Sequence, residues 1–252
     1  MTEKQILRHG LNGNQLKLIA VVSMLCDHAA IRLLACGLIP ALYAAGADTA
    51  AERWNQVFWI LRSVGRMAFP IYVFLLTEGF CHTRNRRHYA IRLGVFALIS
   101  EMPFDLLVYG KLWAPQSQNV FFTLFLGVLM LTLVDWIGRN TDAALAQYRQ
   151  MAVIVAAALL AWVLRTDYDA AGIMLIAVLF WFRLTPDTAC LAGFILMAAA
   201  EFRPVYIPGL AASFFLIRCY NGTRGAWKGK WFFYLVYPVH LLVLYGLYRV
   251  IF

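Results

Sequence analysis

Charge is scarce in this sequence. Of 252 residues only 14% are Asp, Glu, Lys or Arg, 13 of them acidic, while 62% are hydrophobic. A soluble domain carries about a quarter charged residues and about half apolar ones. One soluble core cannot hide this excess, and a mean hydropathy of +0.69 places the chain among polytopic membrane proteins. Cysteine is sparse too. The five residues Cys26, Cys36, Cys81, Cys190 and Cys219 are odd in number and form no CxxC pair, which speaks against a zinc site or a disulfide framework and for free thiols. No metal site is expected. Internal repeats, linkers and low-complexity tracts are missing as well, so one integral-membrane domain over residues 1–252 is the economical reading. The polar start "MTEKQILRHG" is followed by an apolar run too long for a signal-peptide core and without a small-residue cleavage site, which predicts a retained helix.

What is present is a series of continuous apolar runs, at about residues 16–36, 55–80, 89–109, 119–137, 151–164, 170–184, 188–201, 207–218 and 231–251. They are unbroken rather than alternating, and open sheets cannot span lipid. The expected fold is therefore an all-α polytopic membrane protein, a bundle of about nine transmembrane helices. A helix needs ~20 residues to cross the hydrocarbon, and several middle runs are shorter. With nine spans and a cytoplasmic N-terminus, twelve loop cations fall inside: Lys4, Arg8, Arg84, Arg86, Arg87, Arg139, Arg149, Arg183, Arg218, Arg224, Lys228 and Lys230. Five fall outside: Arg53, Lys111, Arg165, Arg203 and Arg249. That bias orients the chain N-in and C-out. It also explains the basic loop "CHTRNRRH" without nucleic acid.

Lys17, Arg32, Arg62, Arg66 and Arg92 remain, in or at the edges of spans. Ionisable groups there are costly and face a bundle interior with a partner; Asp27, Glu78, Glu101 and Asp105 are the candidate partners. Residues four apart share a helix face, so span two offers the pair Arg62 and Arg66, and span three the pair Glu101 and Asp105. An interhelix salt bridge between the pairs accounts for this spacing, although its desolvation cost makes it a poor source of stability. In "LKLIAVVSMLCDHAAIRLL", Lys17 and His28 are eleven residues apart. They therefore project within about 20° of one another, separated by roughly 16 Å along the axis. A snorkelling lysine and a histidine bonded to a neighbouring helix would explain them. So would a channel with an anion-binding mouth and a base at mid-depth. Asp27, one residue before His28, points about 100° away, so the adjacent acid and imidazole are not read as a relay.

Later spans add polar groups. Asn119 and Thr123 share a face of span four, as helix glue or as substrate contacts. His240 follows Pro238 at mid-depth, where the proline frees a carbonyl; structural and catalytic roles both fit. Tyr168 lies between Asp167 and Asp169 in an outer loop, as an interfacial anchor or an acceptor contact. Pro70 should kink "GRMAFP" near Arg66.

The blocks "LKLIAVVSMLCDHAAI", "GRMAFPIYVFLLTEGFCHTRNRRHYAIRLGVFALISEMPFD", "NVFFTLFLGVLML", "TDYDAAGIMLI" and "YPVHLLVLY" resemble, in order, the TraX family, named for the conjugative pilin N-acetyltransferase. The stretch from Gly65 to Asp105 is the most specific. The family looks related to the acyltransferase-3 membrane enzymes, which carry a basic residue and a histidine with ten residues between them on the first helix. Lys17 and His28 fit that spacing, with lysine where arginine is usual, which gives up a bidentate grip on phosphate. The resemblance implies a bacterial inner-membrane enzyme. It would transfer acetyl from cytoplasmic acetyl-CoA to a protein N-terminus, glycan or lipid at the membrane or its outer face. Lys17, Arg84, Arg86, Arg87 and Arg92 would supply a cationic mouth. His28 would act as base or carry the acetyl. Arg66 would steady an oxyanion or order the carboxylates, and Glu101 would hold Arg66 or His28 or act as a second base. Asp27 counts with this catalytic group, and Glu78, Asp105, Asn119, Thr123, Tyr168 and His240 are candidate substrate contacts. A transporter or a non-catalytic membrane subunit are the competing readings; the absence of a repeat or of matched interrupted helices speaks against the first.

Overall fold

The computed structural model describes residues 10–227 and 229–252, Lys230 by its backbone alone. Of the cations counted above, Lys4, Arg8 and Lys228 lie outside the described residues, as does most of the polar start. Every apolar run is helical, because inside lipid only a helix satisfies a lone segment's backbone polar groups internally. Helix α1 (Gly13–Ala29) starts at a capping box. Asn12 Oδ1 accepts the Asn14 and Gln15 N–H groups at 3.0 Å each, and Gln15 Oε1 accepts the Asn12 N–H at 2.8 Å, which satisfies donors that a helix start leaves open. A π-helical stretch, Ala30–Leu38, and a short α2 (Ile39–Ala44) continue it.

There follow α3 (Asp48–Gly65), α4 (Ala68–His82), α5 (Arg86–Tyr109), α6 (Val120–Asn140), α7 (Ala143–Val163), α8 (Asp169–Trp181), α9 (Pro186–Glu201), a 3₁₀ turn Pro204–Tyr206, α10 (Ile207–Arg218) and α11 (Lys230–Ile251). Among the described residues there are two isolated β-bridges and no strand. The kink expected in "GRMAFP" is a full break at Arg66 and Met67, with Pro70 in the first turn of α4, where a missing N–H costs nothing.

Among the described residues, five stretches are long and apolar enough to cross a membrane: Gly13–Ala44, Asp48–His82, Val120–Asn140, Ala143–Val163 and Trp231–Ile251. The expectation of about nine full spans is therefore matched in helices and not in crossing length. Asp169–Trp181 and Pro204–Arg218 are apolar but short, and α5, 24 residues long, carries Arg86, Arg87, Arg92, Glu101 and Asp105.

The chain forms two compact units. One comprises Met1–Tyr72, Pro103–Leu112 and Ala198–Phe252; the other comprises Val73–Met102 and Trp113–Met197. In the first, α1 packs on α3 through small groups: Ser23 Oγ donates to the Val64 carbonyl at 2.5 Å, and Ala20 and Ala51 are fully buried. A Cβ built on Gly65 would meet Asp27 Oδ1 at 2.2 Å, and one on Gly209 would meet the Ser63 carbonyl oxygen at 1.8 Å. Glycine is thus what lets α1 and α10 approach the end of α3.

Helix α11 lies along α1 in ascending register. Leu11 bonds Cys219, Gly13 bonds Thr223, Lys17 sits over Phe233, His28 meets Tyr237 and His240, and Arg32 lies under Tyr245 and Tyr248. The two helices are therefore parallel. In the second unit α6 and α7, joined through Thr141 and Asp142, pack with α8 around the buried Leu131, Ile173, Leu175 and Ile176.

Candidate active site

Two polar constellations meet in the first unit, and both grow from the adjacent pair Asp27–His28. The 100° step between neighbours on a helix sends their side chains to different targets. His28 Nδ1 lies 2.6 Å from His240 Nε2, and His240 Nδ1 lies 2.7 Å from the Val236 carbonyl oxygen. The ring planes differ by 12° and the centroids stand 4.9 Å apart. That separation is the N···N distance plus the two ring radii, so the imidazoles lie end to end and not face to face. A carbonyl only accepts, so His240 Nδ1 carries the hydrogen, and Nε2 of the neutral ring is left to accept from His28 Nδ1–H. The lone pair of His28 is thereby left on Nε2. Tyr237 stands edge-on to both rings, with centroids at 6.1 and 5.6 Å. His240 is buried, whereas His28 keeps part of its surface accessible.

Asp27, 8% exposed, turns to the arginines. Arg62 Nη1 donates to its Oδ2 at 2.6 Å, and Arg66 Nη2 reaches Oδ2 at 3.1 Å. Arg66 Nη1 donates to Glu201 Oε1 at 3.0 Å. The buried Tyr206 ring receives both guanidinium groups, at 5.9 and 5.0 Å from its centroid, each cation–π contact worth ~0.5–2 kcal/mol. Two cations and two anions leave the cluster neutral, which is how a charged group persists at such depth. The sequence reading set Arg62 and Arg66 against Glu101 and Asp105; the ion pairs they make run to Asp27 and Glu201, because the break after Gly65 turns Arg66 towards α1 and the end of α9. Glu201, Tyr206 and Tyr237 were missed. Glu201 had a signal of its own, an acid at the end of an apolar run.

The other expected residues fall as follows. Lys17, partly buried, holds its Nζ 5.2 Å over the Phe233 ring. It belongs to the first unit; Arg84, Arg86, Arg87 and Arg92 belong to the second. There Arg86 pairs with Asp135 and covers Phe80, Arg92 lies over Tyr89 at 5.6 Å, and Arg84 and Arg87 are exposed. Glu101 is buried against Asn119, whose Nδ2 donates to it at 2.6 Å and whose backbone N–H donates at 3.2 Å. Because Asn119 also caps α6 through Phe121 N–H, Glu101 anchors a helix start. Thr123 donates to the Asp167 carbonyl, beside Tyr168, which has φ +64°. Glu78 is half-buried beside His82, 3.9 Å away, and Asp105 is 1% exposed in the first unit.

A partly accessible imidazole with its basic nitrogen set by a second imidazole, beside a rigid neutral charge cluster, is suited to moving one proton. Comparison with known proteins adds a context. The family model described as TraX protein matches residues 12–248. A probable fimbrial assembly protein FimC, serogroup H1, of Dichelobacter nodosus is 28% identical over 252 residues, covering 91% of this chain and 93% of that protein. No solved structure matches.

Proposed function

The chain belongs to the TraX family, and on that premise we propose that it is a membrane-embedded acetyltransferase of the bacterial inner membrane. It moves acetyl from cytoplasmic acetyl-CoA to an acceptor amine of the kind a pilin N-terminus offers, or to a hydroxyl, at the membrane or its outer face. The similarity to a protein named for fimbrial assembly supports a pilin-like acceptor. The observation that carries the reading is the line Val236 carbonyl, His240, His28, which leaves the lone pair of a half-buried His28 on Nε2.

His28 Nε2 takes the proton of the acceptor N–H or O–H as the acceptor attacks the thioester carbon. The C–S bond breaks, and the same proton passes from His28 to the departing thiolate. The products are the acetylated acceptor and CoA, and the imidazole is neutral again. Lys17, roughly 16 Å below His28 on one helix face, attracts the anionic donor at the cytoplasmic end. Asp27, Arg62, Arg66 and Glu201 act as a positioning frame that holds α1 against α3.

Nine crossings with the Gly13 end of α1 in the cytoplasm suit this reading. Parallel first and last helices need an odd number of crossings, and the loop cations favour that orientation. The test is acetyl transfer by purified protein in nanodiscs, from labelled acetyl-CoA to a peptide with a free N-terminus. His28→Ala should lower the rate by ~10²–10⁴ while the melting temperature stays near wild type; an unchanged rate would place the base elsewhere.

A further inference from the structure

Helix α3 carries a polar stripe that the chemistry above does not use. Glu52, Gln56, Trp59 and Arg62 follow at steps of four, three and three, with Asn55 beside Gln56, so the five lie within about 120° of one another around the axis. Glu52, Asn55 and Gln56 are exposed. Arg203 meets this stripe: its guanidinium lies 5.7 Å from the Trp59 ring centroid. It is exposed, and among the described residues no carboxylate pairs with it. Asp27, Glu201, Arg62 and Arg66 balance one another, so Arg203 adds a positive charge that nothing in that cluster cancels.

Contacts within the first unit give its depth. Asp27 is ten residues beyond Lys17, about 15 Å along α1, or half of the ~30 Å hydrocarbon. Gly65 lies against Asp27, and Gly209 lies against Ser63. Helix α10 therefore begins at mid-depth. Its 12 residues descend about 18 Å to Cys219, whose carbonyl accepts the Leu11 N–H at 2.8 Å at the foot of α1. Helix α3 comes back from the outer side, so Trp59 stands one turn outward of Ser63, still within the hydrocarbon. The segment at this level is not α-helical. Phe202 has φ +42°, Arg203 is extended, and Pro204–Tyr206 form the 3₁₀ turn. Phe202, Arg203, Pro204 and Val205 are all exposed, Phe202 to 88%. Irregular backbone at such depth is tolerated only where protein buries it or where it lines water, and protein does not bury this tip.

We propose that the α3 stripe and the Phe202–Val205 tip bound a water-filled vestibule open to the outer face, and that Arg203 at its floor binds a carboxylate of the acceptor. Water above the tip lets the short α10 end on the outer side, which 18 Å of helix cannot reach alone. The stripe leads down to Arg62 on Asp27, beside His28. A guanidinium set over a ring keeps N–H groups for a carboxylate, which is the anion a peptide acceptor offers. The carboxylate's place in the acceptor rests on the acetyl-transfer reading; the vestibule does not.

Cysteine accessibility tests it without acetyl transfer. In a cysteine-free background, Val205→Cys and, separately, Phe202→Cys are treated in spheroplasts with an anionic or a cationic methanethiosulfonate of similar size. Each rate is taken relative to that on a free thiol in solution, and labelling after denaturation confirms that the thiol is present. Both thiols should react without permeabilisation, and the anionic reagent should be favoured by roughly tenfold. Adding Arg203→Gln should bring that preference close to one. Reaction only after permeabilisation, or none before denaturation, overturns the vestibule. The same preference with arginine and with glutamine overturns the anion site. A third arm addresses the acceptor: a short amidated peptide with a free N-terminus and one glutamate should slow labelling at position 205 more than its glutamine counterpart. Equal protection, or none, removes carboxylate recognition, whereas a failure of acetyl transfer from acetyl-CoA leaves all three readouts untouched.

Discussion

His240 has two nitrogens and both are committed, one to the Val236 carbonyl at 2.7 Å and one to His28 at 2.6 Å. In the proposed mechanism its part is to fix which nitrogen of His28 is basic. His240→Phe keeps an aromatic ring but removes the acceptor, leaving the His28 Nδ1–H unsatisfied. With one buried hydrogen bond worth ~1–3 kcal/mol when broken this way, kcat for acetyl transfer should fall roughly 5- to 150-fold while KM for acetyl-CoA holds. His240→Gln, whose amide oxygen can accept from Nδ1–H, should recover part of the rate. A His240→Phe enzyme with wild-type kcat would remove the positioning role. At this scale the sequence was legible where geometry is local. The 100° turn between Asp27 and His28 already separates their targets. The partners were not legible, because His240 lies 212 residues away and spacing along a chain does not say which helices touch. For the same reason the arginine pair was assigned to the next helix and not to Asp27 and Glu201.

At the scale of elements, the nine apolar runs correspond to helices or jointed helices, since continuous hydrophobicity dictates helix in lipid without tertiary detail. The proline of "GRMAFP" and the shortness of runs such as that of α8, 13 residues, were visible in the sequence; packing decides what the runs do not announce, the π-helical Ala30–Leu38 and the completeness of the break at Arg66–Met67. Small residues at the crossings give this packing a test. At Gly209 a methyl group would press on the Ser63 carbonyl oxygen, a backbone atom in a helix that cannot yield. Gly246 in α11 has nothing within 4 Å of its Cβ position, so alanine there adds only helix propensity. Gly209→Ala should therefore destabilise by about 1–3 kcal/mol, whereas Gly246→Ala should leave stability unchanged or raise it by up to ~1 kcal/mol. Thermal or denaturant unfolding in one detergent compares the two; equal effects would show that α10 and α3 are not in close contact at this point.

For the molecule as a whole, the ascending register of α1 and α11 makes a statement about topology that the hydropathy of single segments cannot. Four pairs of positions, Lys17 with Phe233, His28 with His240, Arg32 with Tyr248 and Gly37 with Phe252, rise together along the two helices and their continuations. Two parallel spans in one chain require an odd number of crossings in between, so a protein in which both α1 and α11 cross has an odd total whichever of the short helices cross in full. The loop before α11 and the start of α1 then share a face, and Phe252 lies on the other. In a cysteine-free background, a single cysteine at Thr223 should react with a membrane-impermeant maleimide only after the cells are permeabilised, and one at Phe252 should react in intact cells. Which face is which follows the proposed orientation, with the loop cations inside. Labelling of both positions from one side would show that α11 does not cross the bilayer, and the parallel pair of spans would fall with it.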